Sequence, residues 1–145
     1  LAPRINTDIA SEMRGTNAGG YFRWQFDVAN AATVNTLSLD VTIDDGFVAY
    51  LNGTRIGSFN APDTVSWNSQ ATGSRSDSVV VTTPVQIGAT PFKSSLRSGS
   101  NILAIHAMNA TTSATVTLTP RVWADVRSAL AITMSPLERG NDRPT

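Results

Sequence analysis

Between Leu37 and Asp44 the chain alternates without interruption. Leu37, Leu39, Val41 and Ile43 are apolar, and Ser38, Asp40, Thr42 and Asp44 between them are polar. A period of two places the apolar set on one face of a β-strand. Asp44-Asp45-Gly46 then predicts a turn, because Asp and Gly tolerate conformations that other residues resist. Alternation resumes with Phe47, Ala49 and Leu51 against Val48, Tyr50 and Asn52, and Asn52-Gly53 is a two-residue hairpin signal before Thr54-Arg55-Ile56-Gly57-Ser58-Phe59. These segments read as one antiparallel meander.

Upstream, Phe22, Trp24, Phe26 and Val28 alternate with Tyr21, Arg23, Gln25 and Asp27, a strand whose aromatic face anchors a core. Downstream, Ser78 to Thr82, Asn101 to Met108 and Ala114 to Val126 predict three further strands. Pro84 and Pro91 bound a loop, Phe92 to Leu96 form a short turn, and Ser98-Gly99-Ser100-Asn101 is a break. Residues 1 to 19 hold at most one edge strand. From Ser128 to Thr145, with Pro136, Gly140 and Pro144, no strand pattern appears. The expected division is a β-sandwich module over 1–126 and a tail, linker or start of a next module over 127–145. With helical periodicity nearly missing, the expected fold is all-β, a two-sheet antiparallel sandwich.

Composition narrows the function classes. The 145 residues, 41% of them apolar, suffice for one core and not for two. Eleven basic residues balance eleven acidic ones, and Lys93 is the only lysine, so no field draws the chain to nucleic acid or an anionic membrane. Cysteine is absent, which excludes disulfides and thiolate chemistry. No apolar run approaches the roughly 20 residues of a membrane helix, so no membrane insertion is expected. A start at Leu1 instead of Met reads as excision from a larger or processed precursor. Abundant Thr, Ser and Asn with scarce Lys and Glu suits a secreted, extracellular setting.

Taken together, Thr7-Asp8-Ile9, Met13-Arg14-Gly15-Thr16-Asn17-Ala18, Tyr21-Phe22-Arg23, the Asp44 hairpin, Asn60-Ala61-Pro62, Trp67-Asn68-Ser69 and Leu96-Arg97-Ser98-Gly99-Ser100-Asn101-Ile102-Leu103-Ala104-Ile105-His106 form a recognisable run. The run resembles the galactose-binding-domain-like jelly-roll modules of large secreted bacterial proteins. The resemblance covers residues 7 to about 126. It implies a jelly roll, often a carbohydrate-binding module attached to a glycan-active or cell-surface protein, frequently with a structural calcium.

Asp44 and Asp45 are adjacent carboxylates at a strand end. They read first as turn residues, with metal or sugar contact as the second reading, since hard oxygen donors suit Ca2+. A similar Asp-Asp-Gly turn occurs in the calcium-dependent sugar-binding loops of PA14-type lectins. Trp67, in the polar run Ser66-Trp67-Asn68-Ser69-Gln70, stacks on a pyranose while Asn68 bonds its hydroxyls, or folds over the sandwich end to cover the core. Trp24 reads as core, and Trp123 as either outward-facing or buried at an edge. His106, the only histidine, shares a strand face with Ile102, Ala104 and Met108 and reads as a half-buried side chain before a ligand-binding one. Asn109, at the end of that strand, points into a loop-lined site. Tyr50 and Arg55 complete the candidate ligand-binding set; Arg23 and Arg55 otherwise pair with strand carboxylates.

An enzyme is not expected. No serine stands in a Gly-x-Ser-x-Gly context to use His106. One His and no Cys cannot build a zinc site, and two glutamates give little support to a glycosidase carboxylate pair. Following the resemblance, the expected function is a non-catalytic carbohydrate-binding module whose partners are a polysaccharide or oligosaccharide and the adjacent domains of a parent chain. The alternative is a structural spacer or protein-interaction module with no sugar ligand. Exposure of Trp67 separates the two.

Overall fold

The alternating stretch folds as a strand, β2 (Val34–Asp44), at the centre of one sheet of a two-sheet antiparallel sandwich. The structure is a computed structural model that describes residues 10–13, 15–111 and 115–127. The other strands are β1 (Gly19–Val28), β3 (Gly46–Leu51), β4 (Thr54–Phe59), β5 (Val85–Gly88), β6 (Gly99–Met108) and β7 (Thr117–Val126). One sheet has the order β1-β6-β3-β4 and the other β5-β2-β7. Two short helices, α1 (Ala10–Met13) and α2 (Asp77–Thr82), and 3-10 turns over Ala31–Thr33 and Thr90–Ser95 complete the described elements.

The core is where the two inner faces meet. Leu37, Leu39, Val41 and Ile43 of β2 are buried against Phe47, Ala49 and Leu51 of β3 and Leu103, Ile105 and Ala107 of β6. Each set occupies alternate positions, so the period of two in the sequence is the physical reason the sandwich has an inside. At one side the sheets close on each other. A side chain at Gly57 of β4 would come within 2.6 Å of Ile87 on β5, so the glycine lets Ile87 seal the seam. On the opposite side, between β1 and β7, a cavity of about 400 Å³ remains, lined by Trp24, Phe26, Val28, Leu103, Val122 and Ala124 among others.

Several local expectations are corrected. The segment 37–59 is not one meander, because β2 and β3 belong to different sheets and the chain crosses the sandwich at Asp44 and Asp45. Only β3 and β4 form a hairpin, at Asn52-Gly53, where both residues have positive φ. Ser78 to Thr82 lie in the helix α2 and not in a strand. Both edges of β2 are already taken by β5 and β7, so the valine run finds no strand partner on it, and it buries only Val80, leaving Val79 and Val81 exposed. The stretch between Pro84 and Pro91 holds β5, paired with Ser38–Val41, and Pro84 sits just before it, where a missing N–H breaks no ladder. The Ser98–Asn101 break is instead the start of β6, with Gly99 at a φ of 86° opposite Val28. Phe92 to Leu96 overlap the 3-10 turn as expected, and β7 begins at Thr117. Residues 1–9, Ala114 and the expected tail 128–145 lie outside the described residues, while Arg127 still donates its N–H to Thr33 O.

Candidate functional site

The crossing at Asp44 and Asp45 organises one end of the sandwich. The peptide bond between them is cis. Asp45 is fully buried, and both of its oxygens accept main-chain N–H groups, Oδ1 from Arg75 and Oδ2 from Ala110, each at 2.8 Å. Its own carbonyl accepts Asn60 Nδ2 at 3.3 Å. One carboxylate thus ties the crossing to the loop after β4 and to the exit of β6. Arg75 reinforces the clamp through its side chain, which donates to Ile43 O at 2.9 Å and to Thr83 O and lies over the Phe59 ring. Asp44 accepts Thr115 Oγ1 at 2.7 Å. Burial raises its pKa to about 6, and the neighbouring Asp45 and Asp77 carboxyls add to that rise while the Thr115 hydroxyl opposes it.

Each Asp45 oxygen accepts one main-chain N–H, so Asp45 acts here as a structural clamp. Among the described residues no group of three or more acidic, His or Cys side chains stands together at the crossing.

Trp67 and Asn68 are the central residues of a turn in the loop after β4. Ser69 N donates to Ser66 O at 3.1 Å, Ser66 N donates to Ser69 Oγ at 2.8 Å, and Ser66 Oγ donates to Asn68 Oδ1 at 2.8 Å. The turn is thus held by its own serines and amide, and the indole is 73% exposed. It does not cover the core. Asn68 spends its carbonyl on the turn, leaving its amide NH2 as the donor nearest the indole in sequence.

Three other candidates share the outward face of the four-stranded sheet. Tyr50 and Arg55 are cross-strand partners, Tyr50 also faces Ala104, and His106 lies two residues further along β6 on the same face. Arg55 is partly committed, with Nη2 donating to Ser58 Oγ at 2.9 Å and Nη1 to Asp63 O at 3.4 Å. His106 is buried, not half-buried. Tyr21 of β1 stacks on it with centroids 4.2 Å apart, and its Nε2 has no hydrogen-bond partner. Gly19 makes the room, since a Cβ there would lie 3.0 Å from that nitrogen. Burial lowers the His106 pKa and keeps the ring neutral. Asn109 joins the clamped end: its N–H donates to Ala18 O and its carbonyl accepts Ala71 N, and its side-chain oxygen is buried without a partner.

The structure therefore divides the candidates into three places: the Trp67 and Asn68 turn, the outward face with Tyr50, Arg55 and His106, and the clamped crossing with Asp44, Asp45 and Asn109. Loop contacts connect them, with Asp63 reaching Arg55, Gln70 accepting Thr111 Oγ1, and Ala71 bonding Asn109. The residues that sequence reasoning missed are Arg75 and Asn60, which hold the loop, and Asp40. Asp40 accepts the indole N–H of Trp123 at 2.7 Å on the outward face of the other sheet. Asp40 and Trp123 stand 83 positions apart, and no local pattern joins them.

No protein-family model and no curated protein matches the chain. Four solved chains match in structure. An α-L-rhamnosidase from Dictyoglomus thermophilum superposes with a TM-score of 0.49 at 14% identity, over 73% of this chain and 11% of its own. An α-L-rhamnosidase from Aspergillus terreus gives 0.46 at 16% identity, over 72% and 12%. A β-D-mannosidase from Dictyoglomus thermophilum gives 0.38 at 19% identity, over 61% and 8%. This chain thus spans about a tenth of the length of each of these larger proteins.

Proposed function

We propose that this chain is a non-catalytic carbohydrate-binding module, one part of a larger secreted protein, that docks a polysaccharide or oligosaccharide through the Trp67 turn. The observation that carries the reading is the exposure of Trp67 on a turn stiffened by Ser66, Asn68 and Ser69. An exposed indole on a hydrogen-bonded turn can stack on the C–H face of a pyranose, and an adjacent amide donor can take its hydroxyls. Arg55, which donates to Asp63 O in the same loop, would extend the contact. A shallow site of this kind gives modest affinity, because sugar hydroxyls must give up well-bound water.

A glycan array followed by calorimetry, on the native chain and on Trp67→Ala, tests the reading. Because Trp67 is exposed, the substitution should leave the melting temperature nearly unchanged while abolishing glycan binding. Silence across all polysaccharides, or binding indifferent to the change, points instead to a spacer or protein-interaction module.

A further inference from the structure

The open seam between β1 and β7 supports a second inference, independent of the glycan site. Where β4 and β5 close the sandwich, Ile87 fills the gap over Gly57. At the other side, Val122 and Val126 of β7 are 37% and 57% exposed although they pair with inward-facing Leu39 and Val34. Among the described residues, neither β1 nor β7 has a strand on its outer edge. A ten-residue edge strand with apolar side chains on show is a template for pairing, and edges that avoid it carry lysines, bulges or prolines. Along β7 only Pro120 plays that part, and no lysine stands there.

The order of side chains on β7 identifies the partner. Arg121, Trp123 and Asp125 lie on the outward face, opposite Asp40, Ser38 and Thr36. The two charges are spaced evenly about Trp123. Turn a second β7 antiparallel by a two-fold axis through Trp123, and Arg121 falls opposite Asp125 of the partner subunit, while Val122 falls opposite Ala124 of the partner subunit. Opposite charges meet twice on the outward face, and apolar residues meet on the inward one. Arg121 is already held at 3.9 Å over the Trp123 ring, so little side-chain freedom remains to be lost. The chain has no net charge to oppose self-association.

We propose that two copies of this chain pair antiparallel through the edges of β7 that no described strand occupies, in a register centred on Trp123, extending the three-stranded sheet across a two-fold axis and setting Val122 beside Ala124 of the partner subunit. The register spans 121–125 and leaves Pro120 outside it.

Sedimentation velocity and single-cysteine cross-linking of the full chain test this. The native chain should show a reversible dimer at about 100 µM, the range of a small edge-to-edge interface. Asp125→Arg, on an exposed side chain, sets like charges opposite each other at both ends of the register. It should weaken association more than tenfold, with the deficit shrinking in high salt. Because the chain has no cysteine, Trp123→Cys introduces a lone thiol at the axis, where two copies should form a disulfide quickly under mild oxidation. Thr119→Cys places its two thiols about 26 Å apart at roughly 3.3 Å per residue and should not cross-link. A native chain that stays monomeric, an Asp125→Arg chain that associates as well as the native one, or equal cross-linking at 119 and 123 overturns the proposal. Melting curves confirm that each variant is folded, and the Asp125→Arg result stands even if Trp123→Cys is not.

Discussion

The Asp45 carboxylate and the Ala110 N–H lie 2.8 Å apart across 65 positions of sequence, and the other oxygen of the same carboxylate holds Arg75 N at the same distance. A side chain expected to turn a hairpin instead fastens two distant loops to the crossing between the sheets. Its two bonds are charge-assisted and buried, the circumstances in which a hydrogen bond contributes most and an unmade one costs most.

Asp45→Asn is therefore expected to destabilise far more than its near-identical shape suggests. One oxygen keeps its N–H donor, but the amide nitrogen that replaces the other faces a second donor. Urea unfolding should show a loss of about 3 kcal/mol, and the melting temperature should fall by about 10 °C. A loss below about 1 kcal/mol would mean that water takes over the role of the carboxylate.

The reason this clamp escapes a reading of the sequence shows how far such a reading goes. Leu37 to Ile43 declare their strand and its inner face through a period of two, and the β3–β4 hairpin is explicit in Asn52-Gly53. Those signals are local. Whether Asp44-Asp45-Gly46 folds β3 back on β2 or carries it to the other sheet depends on which strand edges are free, a property of the whole assembly. The valines of α2 suffer the same ambiguity: their β-propensity is real, but no edge of β2 was left for them. At the candidate site, a tryptophan amid Ser, Asn and Gln reads equally as a ligand-stacking or a core-covering side chain, and only the folded turn shows it exposed. The roles of Arg75, Asn60 and Tyr21 were not legible, since what matters about each is a partner 15 to 85 positions away.

Asp44 makes stability depend on pH in an unusual direction for a carboxylate. Burial lifts its pKa from 3.8 to about 6. The native state therefore holds this proton more tightly than the unfolded chain does. The resulting stabilisation is fully present below pH 3.8 and is lost as the pH rises through about 6. Its size is on the order of 1–2 kcal/mol once partial screening by solvent is allowed for. Asp44→Asn keeps an acceptor for Thr115 and removes the titration. Native and variant chains should be equally stable near pH 4, and the variant should gain the advantage by pH 7. A difference that stays flat between those values would show that Asp44 is not desolvated.

Gly46 and Gly88 offer a matched pair. A Cβ at Gly46 would stand 2.5 Å from Asn60 O and 3.0 Å from the Ala71 side chain, both held by the clamp. Main chain cannot give way there, so Gly46→Ala should cost about 2–3 kcal/mol. At Gly88 nothing lies within 4 Å, and alanine should be neutral or stabilise by up to about 1 kcal/mol, since glycine in a strand loses the most backbone entropy. Equal effects of the two substitutions in thermal unfolding would contradict the close packing of the loop on β3.

His106 titrates in the opposite sense to Asp44. Its ring is buried beneath Tyr21 with Nε2 unpartnered, and burial lowers its pKa below the ordinary 6.5. The unfolded chain takes up a proton near pH 6.5 before the native ring does, so the stability tied to the neutral ring is present above that value and is lost as the pH falls below it. His106→Phe preserves the stack on Tyr21, removes the unpartnered nitrogen and abolishes the titration. At pH 7.5 the variant should match the native chain or exceed it by about 1 kcal/mol, because an unmade buried hydrogen bond disappears with the imidazole. Below pH 6 its advantage should grow, as the native chain alone loses stability to protonation of its unfolded state. Denaturant melts at both pH values measure that growth directly. If the gap stays constant, the imidazole is reached by water and the stack with Tyr21 is only a surface contact.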